Sequence, residues 1–126
     1  MAAAPNFAAT VRASAANIAT ADTSRTSPTN VGTVFTAGSG GSRIDEINIV
    51  STGTTTAGVV RLWVFTGSVY YLLSETLVTA TTPSTSVAVF SAISTYNNLM
   101  LPSGHSLRAT TNNSESFNVI AFGGDF

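Results

Sequence analysis

Short apolar runs alternate with clusters of turn residues along most of the chain. From about Asn30 onward, runs rich in Val, Ile, Thr, Phe and Tyr are separated, at intervals of about eight to twelve residues, by Gly, Pro, Asn and Ser. Each run has the length of one strand, and no segment sustains the period of an amphipathic helix. The pattern predicts an all-β fold, most simply an antiparallel β-sandwich.

Seven runs have strong strand composition, and a weaker eighth run lies near Val11–Thr20. The polar stretch around Pro83 is predicted to be a loop, since proline cannot donate a hydrogen bond inside a central strand. The seven stronger runs are Val31–Thr36, Arg43–Ser51, Val59–Thr66, Val69–Thr79, Ser86–Ala92, His105–Thr111 and Phe117–Phe122.

The alternation slips inside the run IDEINIV. Ile44 falls out of phase with Ile47 and Ile49, and an extra residue near Asp45 and Glu46 would bring all three isoleucines to one face. A β-bulge is therefore predicted there. The preceding AGSGGS stretch is predicted to be a glycine turn that closes a hairpin, because no Lys-Ser/Thr pair and no helix follow it as a phosphate loop requires.

Three runs are apolar on both faces. VVRLWVF places Arg61, Trp63 and Phe65 opposite its valine and leucine face, and SVAVF and FNVIAF have the same two-sided character. A strand that is apolar on both faces needs a cover on its second face. In a chain this short, another subunit can provide that cover.

The first 30 residues differ from the rest, being rich in Ala, Ser, Thr and Asn with few large apolar groups. Met1–Asn30 is predicted to be an extended arm that leads into one edge strand and becomes ordered mainly on a partner. A disordered tail is the alternative. The remaining residues, 31–126, are predicted to form the sandwich domain.

Charge is scarce in this chain. Only 9% of residues are charged, with five arginines, six acidic residues, no lysine and a net charge of −1, whereas there are 20 threonines and 16 serines. Nucleic-acid binding needs several cations on one face, so no such partner is expected. No run has the length of a membrane span, so no membrane partner is expected either.

Candidate catalytic chemistry is weak. His105 is the only histidine, cysteine is absent, and the acidic residues are scattered over predicted turns and strand ends. A metal site in a small β-barrel needs several histidines, and no local motif marks a serine nucleophile. We therefore expect no enzyme activity, metal, cofactor or small-molecule substrate. Pro102 and Gly104 suit a turn, which places His105 at the entrance of a strand.

Sugar binding is the more serious alternative. Lectins with this architecture stack sugars on an exposed aromatic ring beside polar side chains. The candidate rings are Trp63, Tyr70, Tyr71 and Tyr96, and Asn97 and Asn98 beside Tyr96 are the candidate polar groups. The competing interpretation, which the apolar strand around Trp63 favours, is that these rings pack in the core or at a subunit interface.

Three segments, taken in order, resemble a known group of proteins: VGTVFTAGSGGSRIDEI, STGTTTAGVVRLWVF and LPSGHSLRATTNNSESFNVIAFGGDF. They look most like the capsid decoration (cement) proteins of tailed bacteriophages. The resemblance covers about Val31–Phe126 and includes no catalytic motif. It implies a β-sandwich or jelly roll that binds the outside of an icosahedral head, often as trimers at threefold positions, and stabilises the shell against internal DNA pressure.

The partners that the resemblance implies are the major capsid protein and further copies of this chain in a homotrimer. The implied location is the outer surface of the virion, after synthesis in the cytoplasm of a bacterial host. A tail or fibre component that binds host-surface carbohydrate is the alternative. The side chains predicted to contact a subunit or the capsid are Arg12, Arg25, Arg61, Trp63, Phe65, Arg108, Phe122 and Phe126.

Overall fold

The computed structural model describes residues 10–126, which form eight β-strands. Seven lie at or within a few residues of predicted runs, and the sixth is displaced along the chain. The strands are β1 (Thr10–Ile18), β2 (Gly32–Thr36), β3 (Ser42–Ser51), β4 (Gly58–Phe65), β5 (Tyr70–Val78), β6 (Ser91–Leu101), β7 (Ser106–Thr111) and β8 (Phe117–Asp125).

The strands form two antiparallel sheets of four. Sheet A has the order β1-β8-β3-β6, and sheet B has the order β2-β7-β4-β5. β1 pairs with β8, β2 with β7, β3 with β6 and β4 with β5. The first half of the chain therefore pairs antiparallel with the second half, and successive pairs alternate between the two sheets. This is the jelly-roll order, and it confirms the predicted fold class.

The core lies between the two sheets. Ile44, Ile47 and Ile49 are all buried, and the pairing of β3 with both of its neighbours shifts between Ile44 and Glu46. The predicted bulge is therefore confirmed. Burial of each large core side chain stabilises the fold by about 1.5–3 kcal/mol. The other large core side chains are Ile18, Val34, Phe35, Val60, Leu62, Val78, Leu101, Leu107, Phe117 and Val119.

Gly123 lies where β8 passes the bulge in β3. A Cβ atom at this position would collide with the main-chain carbonyl oxygen of Arg43. The two strands can therefore approach each other here only because β8 carries glycine.

The sixth strand corrects the sequence prediction. The structure places β6 at Ser91–Leu101 rather than at Ser86–Ala92, and residues 79–90 form the long connection from β5. Val87 is exposed, while Phe90 packs against the core. Between Thr95 and Leu99, β6 has three residues opposite the single residue Asp45 of β3, so its alternation is interrupted by a three-residue bulge.

The predicted turn at Pro102–His105 is confirmed, and the predicted turn at AGSGGS is confirmed in part. Gly104 has φ +86°, and the His105 N–H donates to the Pro102 carbonyl at 3.0 Å, as in a type II turn. The AGSGGS stretch does form a turn, but it joins β2 to β3 in different sheets and so does not close a hairpin. Among the described strands, β4 and β5 are the consecutive pair that forms a hairpin. Gly67, at φ +102°, supplies the conformation that the type II′ turn between them requires.

The described part of the predicted arm belongs to the sandwich. β1 is the expected edge strand of sheet A, and residues 19–31 then cross to sheet B, where the Asp22 N–H donates to the Thr111 carbonyl at 2.8 Å. Residues 10–30 thus pair with and pack on the rest of the chain. Residues 1–9 of the predicted arm lie outside the described residues.

Candidate interaction surfaces

Five of the eight predicted interface residues meet on the outer side of sheet B, which we call face B. Each sheet has one side against the core and one side facing away, and alternate residues of β4 reach face B. The structure brings together here Arg25, Arg61, Trp63, Phe65 and Arg108, which are separated by up to 83 positions in sequence (108 − 25).

Arg61 is enclosed by its own chain. Its side chain is about 2% exposed, and its three guanidinium nitrogens donate to the Glu75 carboxylate at 2.9 Å, the Asp22 carbonyl at 3.1 Å and the Asn112 side-chain oxygen at 3.2 Å. Partial desolvation raises the pKa of Glu75, but Arg25 and Arg61 outweigh it and hold that pKa below its ordinary value. All three guanidinium nitrogens of Arg61 are therefore used within the chain. Arg25, which is exposed, also binds Glu75, at 3.0 Å.

Trp63 is also enclosed. It has 0% exposure, its indole N–H donates to the Thr110 hydroxyl at 3.0 Å, and Tyr70 packs edge-on against it at 6.1 Å between ring centroids. The ring presents no face to a sugar or to a second chain. Trp63 is therefore packed within its own chain, as the competing interpretation expected, and the chain covers much of the second face of β4 itself.

Phe65, Tyr70, Leu72 and Arg108 form a half-exposed patch next to Trp63, which we call the aromatic patch. The Arg108 guanidinium lies 4.1 Å from the centre of the Phe65 ring and donates to the Tyr70 hydroxyl at 3.1 Å. Its Nε donates to the Ser106 hydroxyl at 3.0 Å. Stacking fixes the guanidinium in a defined plane, so it covers apolar surface while keeping an edge towards solvent.

Asp22 orders the segment that covers Arg61. Its carboxylate accepts the backbone N–H groups of Thr29 at 2.7 Å, Asn30 at 2.9 Å and Ser24 at 3.0 Å. Burial raises the pKa of Asp22, but these donors together outweigh burial and hold the pKa below its ordinary value. One carboxylate thus closes the loop over residues 22–30.

The outer side of sheet A, which we call face A, has a different composition. Ala13, Ala15, Ile120 and Phe122 lie side by side on the paired strands β1 and β8 and point away from the core. Phe122, a predicted interface residue, is 38% exposed. No described segment crosses this face in the way that residues 19–31 cross sheet B.

The remaining two predicted interface residues lie apart from these faces. Arg12 stacks 3.9 Å above the Phe35 ring and binds Asp125 at 2.9 Å, so its cation is used within the chain. The Ser42 hydroxyl and Arg12 lower the pKa of Asp125. Phe126 lines a shallow apolar cavity of about 200 Å³ together with Met100, Leu101 and Pro102.

The predicted carbohydrate residues do not come together. Trp63 is buried in sheet B, whereas Tyr96, Asn97 and Asn98 form the bulge of β6 in sheet A. Tyr96 packs against the core, and Asn97 and Asn98 are exposed. Only these two asparagines keep the accessibility that sugar recognition needs.

His105, the only histidine, takes part in the local backbone structure. His105 lies at the strand entrance, where its carbonyl accepts the Ala37 N–H at 3.0 Å, and its Nδ1 is buried without a hydrogen-bond partner. Within the described range, no group of three or more His, Asp or Glu residues is placed to hold a metal ion. No helix in that range is long and apolar enough to cross a membrane.

Sequence reasoning missed Asp22 and Glu75, which complete face B together with Tyr70. A partial signal was present for Asp22, because Asp followed by Ser, Thr and Pro is typical of side-chain-capped turns. No local signal marks Glu75 as the partner of two arginines. Comparisons with models of protein families, with curated proteins and with solved structures found no match to this chain.

Proposed function

We propose that this chain is a structural virion protein that binds the outer surface of a phage head and stabilises it. The observation that carries the proposal is a jelly roll with little charge and apolar groups exposed on both outer faces. The jelly roll is common among viral capsid domains, and exposed apolar patches mark interaction surfaces. The resemblance of residues 31–126 to decoration proteins supports the same role.

The mechanism is linkage between binding and shell stability. A protein that binds the assembled lattice, and not its dissociated parts, stabilises that lattice in proportion to its occupancy. A homotrimer multiplies this effect, because three chains bind as one unit. We assign the trimer contact to the aromatic patch on face B, where Phe65, Leu72 and Arg108 combine apolar area with an oriented cation.

The decisive experiment adds the purified protein to phage heads that lack it and images the particles. Density on the outer surface at threefold positions, together with resistance of the filled heads to heat, supports the proposal. Binding to the tail, or to host-surface glycans in a manner abolished by Asn97→Ala and Asn98→Ala, supports the carbohydrate-binding alternative. Failure to bind either structure rejects both.

The capsid contact is proposed to involve the N-terminal region. Deleting Met1–Asn30 would remove β1 and the Asp22 loop, so loss of binding would only report loss of fold. Deleting residues 1–9 is the sharper test, because β1 and its pairing with β8 remain intact. Unchanged occupancy on the head would reject a role for those nine residues.

The trimer is tested separately by light scattering. Leu72→Lys places a charge in the aromatic patch and is expected to shift the protein from trimer to monomer, whereas Val87→Lys, on the exposed connection before β6, should leave the trimer intact. A wild-type protein that is monomeric at micromolar concentration would reject the trimer.

A further inference from the structure

The two sheets of the sandwich come close to each other along one pair of edge strands but not along the other. On one side β1 and β2 approach each other closely, and Arg12 of β1 donates to the Thr36 carbonyl of β2. On the other side β5 and β6 hardly approach each other, and each ends its sheet. The edge of β6 is therefore the more open end of sheet A.

β6 lacks the usual protection of an edge strand. Its 11 residues, SAISTYNNLML, include no charge and no proline. Natural sheets normally discourage pairing at such edges with lysine, proline, bulges or a short strand. Here the three-residue bulge at Tyr96, Asn97 and Asn98 protects the second half of the strand. Residues 91–95 remain a regular and unprotected edge, with Ile93 66% exposed on face A.

The register shows which backbone groups of this edge are free. The Phe90 carbonyl accepts the Ser51 N–H at 2.9 Å, so Phe90 directs its backbone groups towards β3. In an antiparallel ladder this direction alternates from residue to residue. Ala92 and Ser94 therefore also face β3, while Ser91, Ile93 and Thr95 direct their N–H and carbonyl groups away from the sheet.

We propose that residues 91–95 pair with the same residues of a second copy of this chain, antiparallel and about a two-fold axis at Ile93. Ser91 then pairs with Thr95 of the second copy, and Ile93 pairs with Ile93 of the second copy. All three free residues meet in hydrogen-bonded pairs, which gives about six backbone hydrogen bonds. The contact is inferred from the edge alone and does not depend on the proposed virion role.

A second copy is the occupant that the chemistry of this edge favours. Because residues 91–95 are uncharged, self-pairing brings no like charges together, and the two β-branched Ile93 side chains form a favourable cross-strand pair. A two-fold contact uses one surface twice, whereas a threefold contact joins two different surfaces. Pairing through β6 therefore leaves face B free and would join one trimer to the next on a shell.

A charge exchange at position 93 tests the pairing. Ile93→Lys and Ile93→Glu each place two like charges opposite one another, and each variant alone should associate about tenfold more weakly than the wild type or worse. An equimolar mixture should recover association, because lysine then faces glutamate. Sedimentation velocity from about 1 µM to about 1 mM, at low salt, measures both effects.

Val11 provides the matched control. It lies on the same sheet and the same face but on the opposite edge, and at 85% it is more exposed than Ile93. Val11→Lys should leave the β6-mediated association unchanged. The proposal is overturned if the wild type shows no such association, if the Ile93 variants associate as the wild type does, or if their mixture does not recover.

Cross-linking gives an independent test in the full chain. The protein has no cysteine, so Ile93→Cys introduces a single thiol. A short bismaleimide should link it to a second copy and give a covalent dimer on a denaturing gel, whatever other contacts the chain makes. Val11→Cys should give only background dimer. Equal yields from the two variants would reject the two-fold contact.

Discussion

At the scale of single residues, Asp22 orders a whole loop, because its carboxylate accepts three backbone N–H groups of the segment that covers Arg61. Asp22→Asn is expected to lower the free energy of unfolding by about 1.5–3 kcal/mol, since hydrogen bonds to a charged acceptor are lost. Urea unfolding followed by the fluorescence of Trp63, the only tryptophan, measures the change. Wild-type stability in the variant would mean that the loop does not depend on the carboxylate.

The same carboxylate predicts an acid dependence of stability. The pKa of Asp22 is lower in the folded state than its ordinary value of 3.8, so the unfolded chain takes up the proton first as the pH falls. The stabilisation is complete above about pH 4 and is lost as the pH falls through the folded-state pKa. Urea midpoints at about pH 7 and about pH 3 should therefore differ less in Asp22→Asn than in the wild type. Some dependence should remain in the variant, because the pKa values of Glu75 and Asp125 are also lowered.

Trp63 and Thr110 give a second residue-scale prediction. Thr110→Val keeps the shape of the side chain but leaves the buried indole N–H without an acceptor, which should cost about 1–3 kcal/mol. Thr110→Ser retains the hydroxyl and should cost less. Thermal unfolding of the two variants decides the question, and a valine variant at least as stable as the serine variant would contradict the role of this hydrogen bond.

At the scale of elements, the sequence pattern predicted β3 well and β6 poorly. The spacing of Ile44, Ile47 and Ile49 required a bulge, because all three have to reach the core. In β6, Asn97 and Asn98 have the composition of a turn, so the sequence did not indicate a strand there. They lie inside a strand because β6 pairs with β3 on both sides of the bulge, and β3 is distant in sequence. The apolar strand around Trp63 favoured a buried ring, but the groups that cover it could not be predicted, since Thr110 is distant in sequence and Tyr70 lies on the next strand.

The contact of β8 with the bulge predicts a strict requirement for glycine. Gly123→Ala should lower the free energy of unfolding by about 3 kcal/mol, because its Cβ would push β8 away from the Arg43 carbonyl. Gly53→Ala is the matched control, since a Cβ at position 53 meets no atom within 4 Å. Denaturant unfolding of both variants measures the difference. Similar stabilities would show that β8 can move away from the bulge at little cost.

At the scale of the whole molecule, the jelly-roll order separates local from distant pairing. β4 and β5 form the one described pair that is joined by a short turn, whereas β1 and β8 pair across nearly the full described length. The entropic cost of closing a loop increases with the length of the loop, so the β4–β5 hairpin is the least costly pairing to form first. The chain should therefore fold around that hairpin and add β1 and β8 late.

Folding and unfolding rates test this order. Gly67→Ala strains the hairpin turn at φ +102° and should act mainly by slowing folding, because the hairpin is already formed in the transition state. Val119→Ala removes buried methyl groups from β8 and should act mainly by speeding unfolding. Stopped-flow chevrons of Trp63 fluorescence measure both rates. If Val119→Ala instead slows folding and Gly67→Ala speeds unfolding, then the distant pairing of β8 forms before the local hairpin.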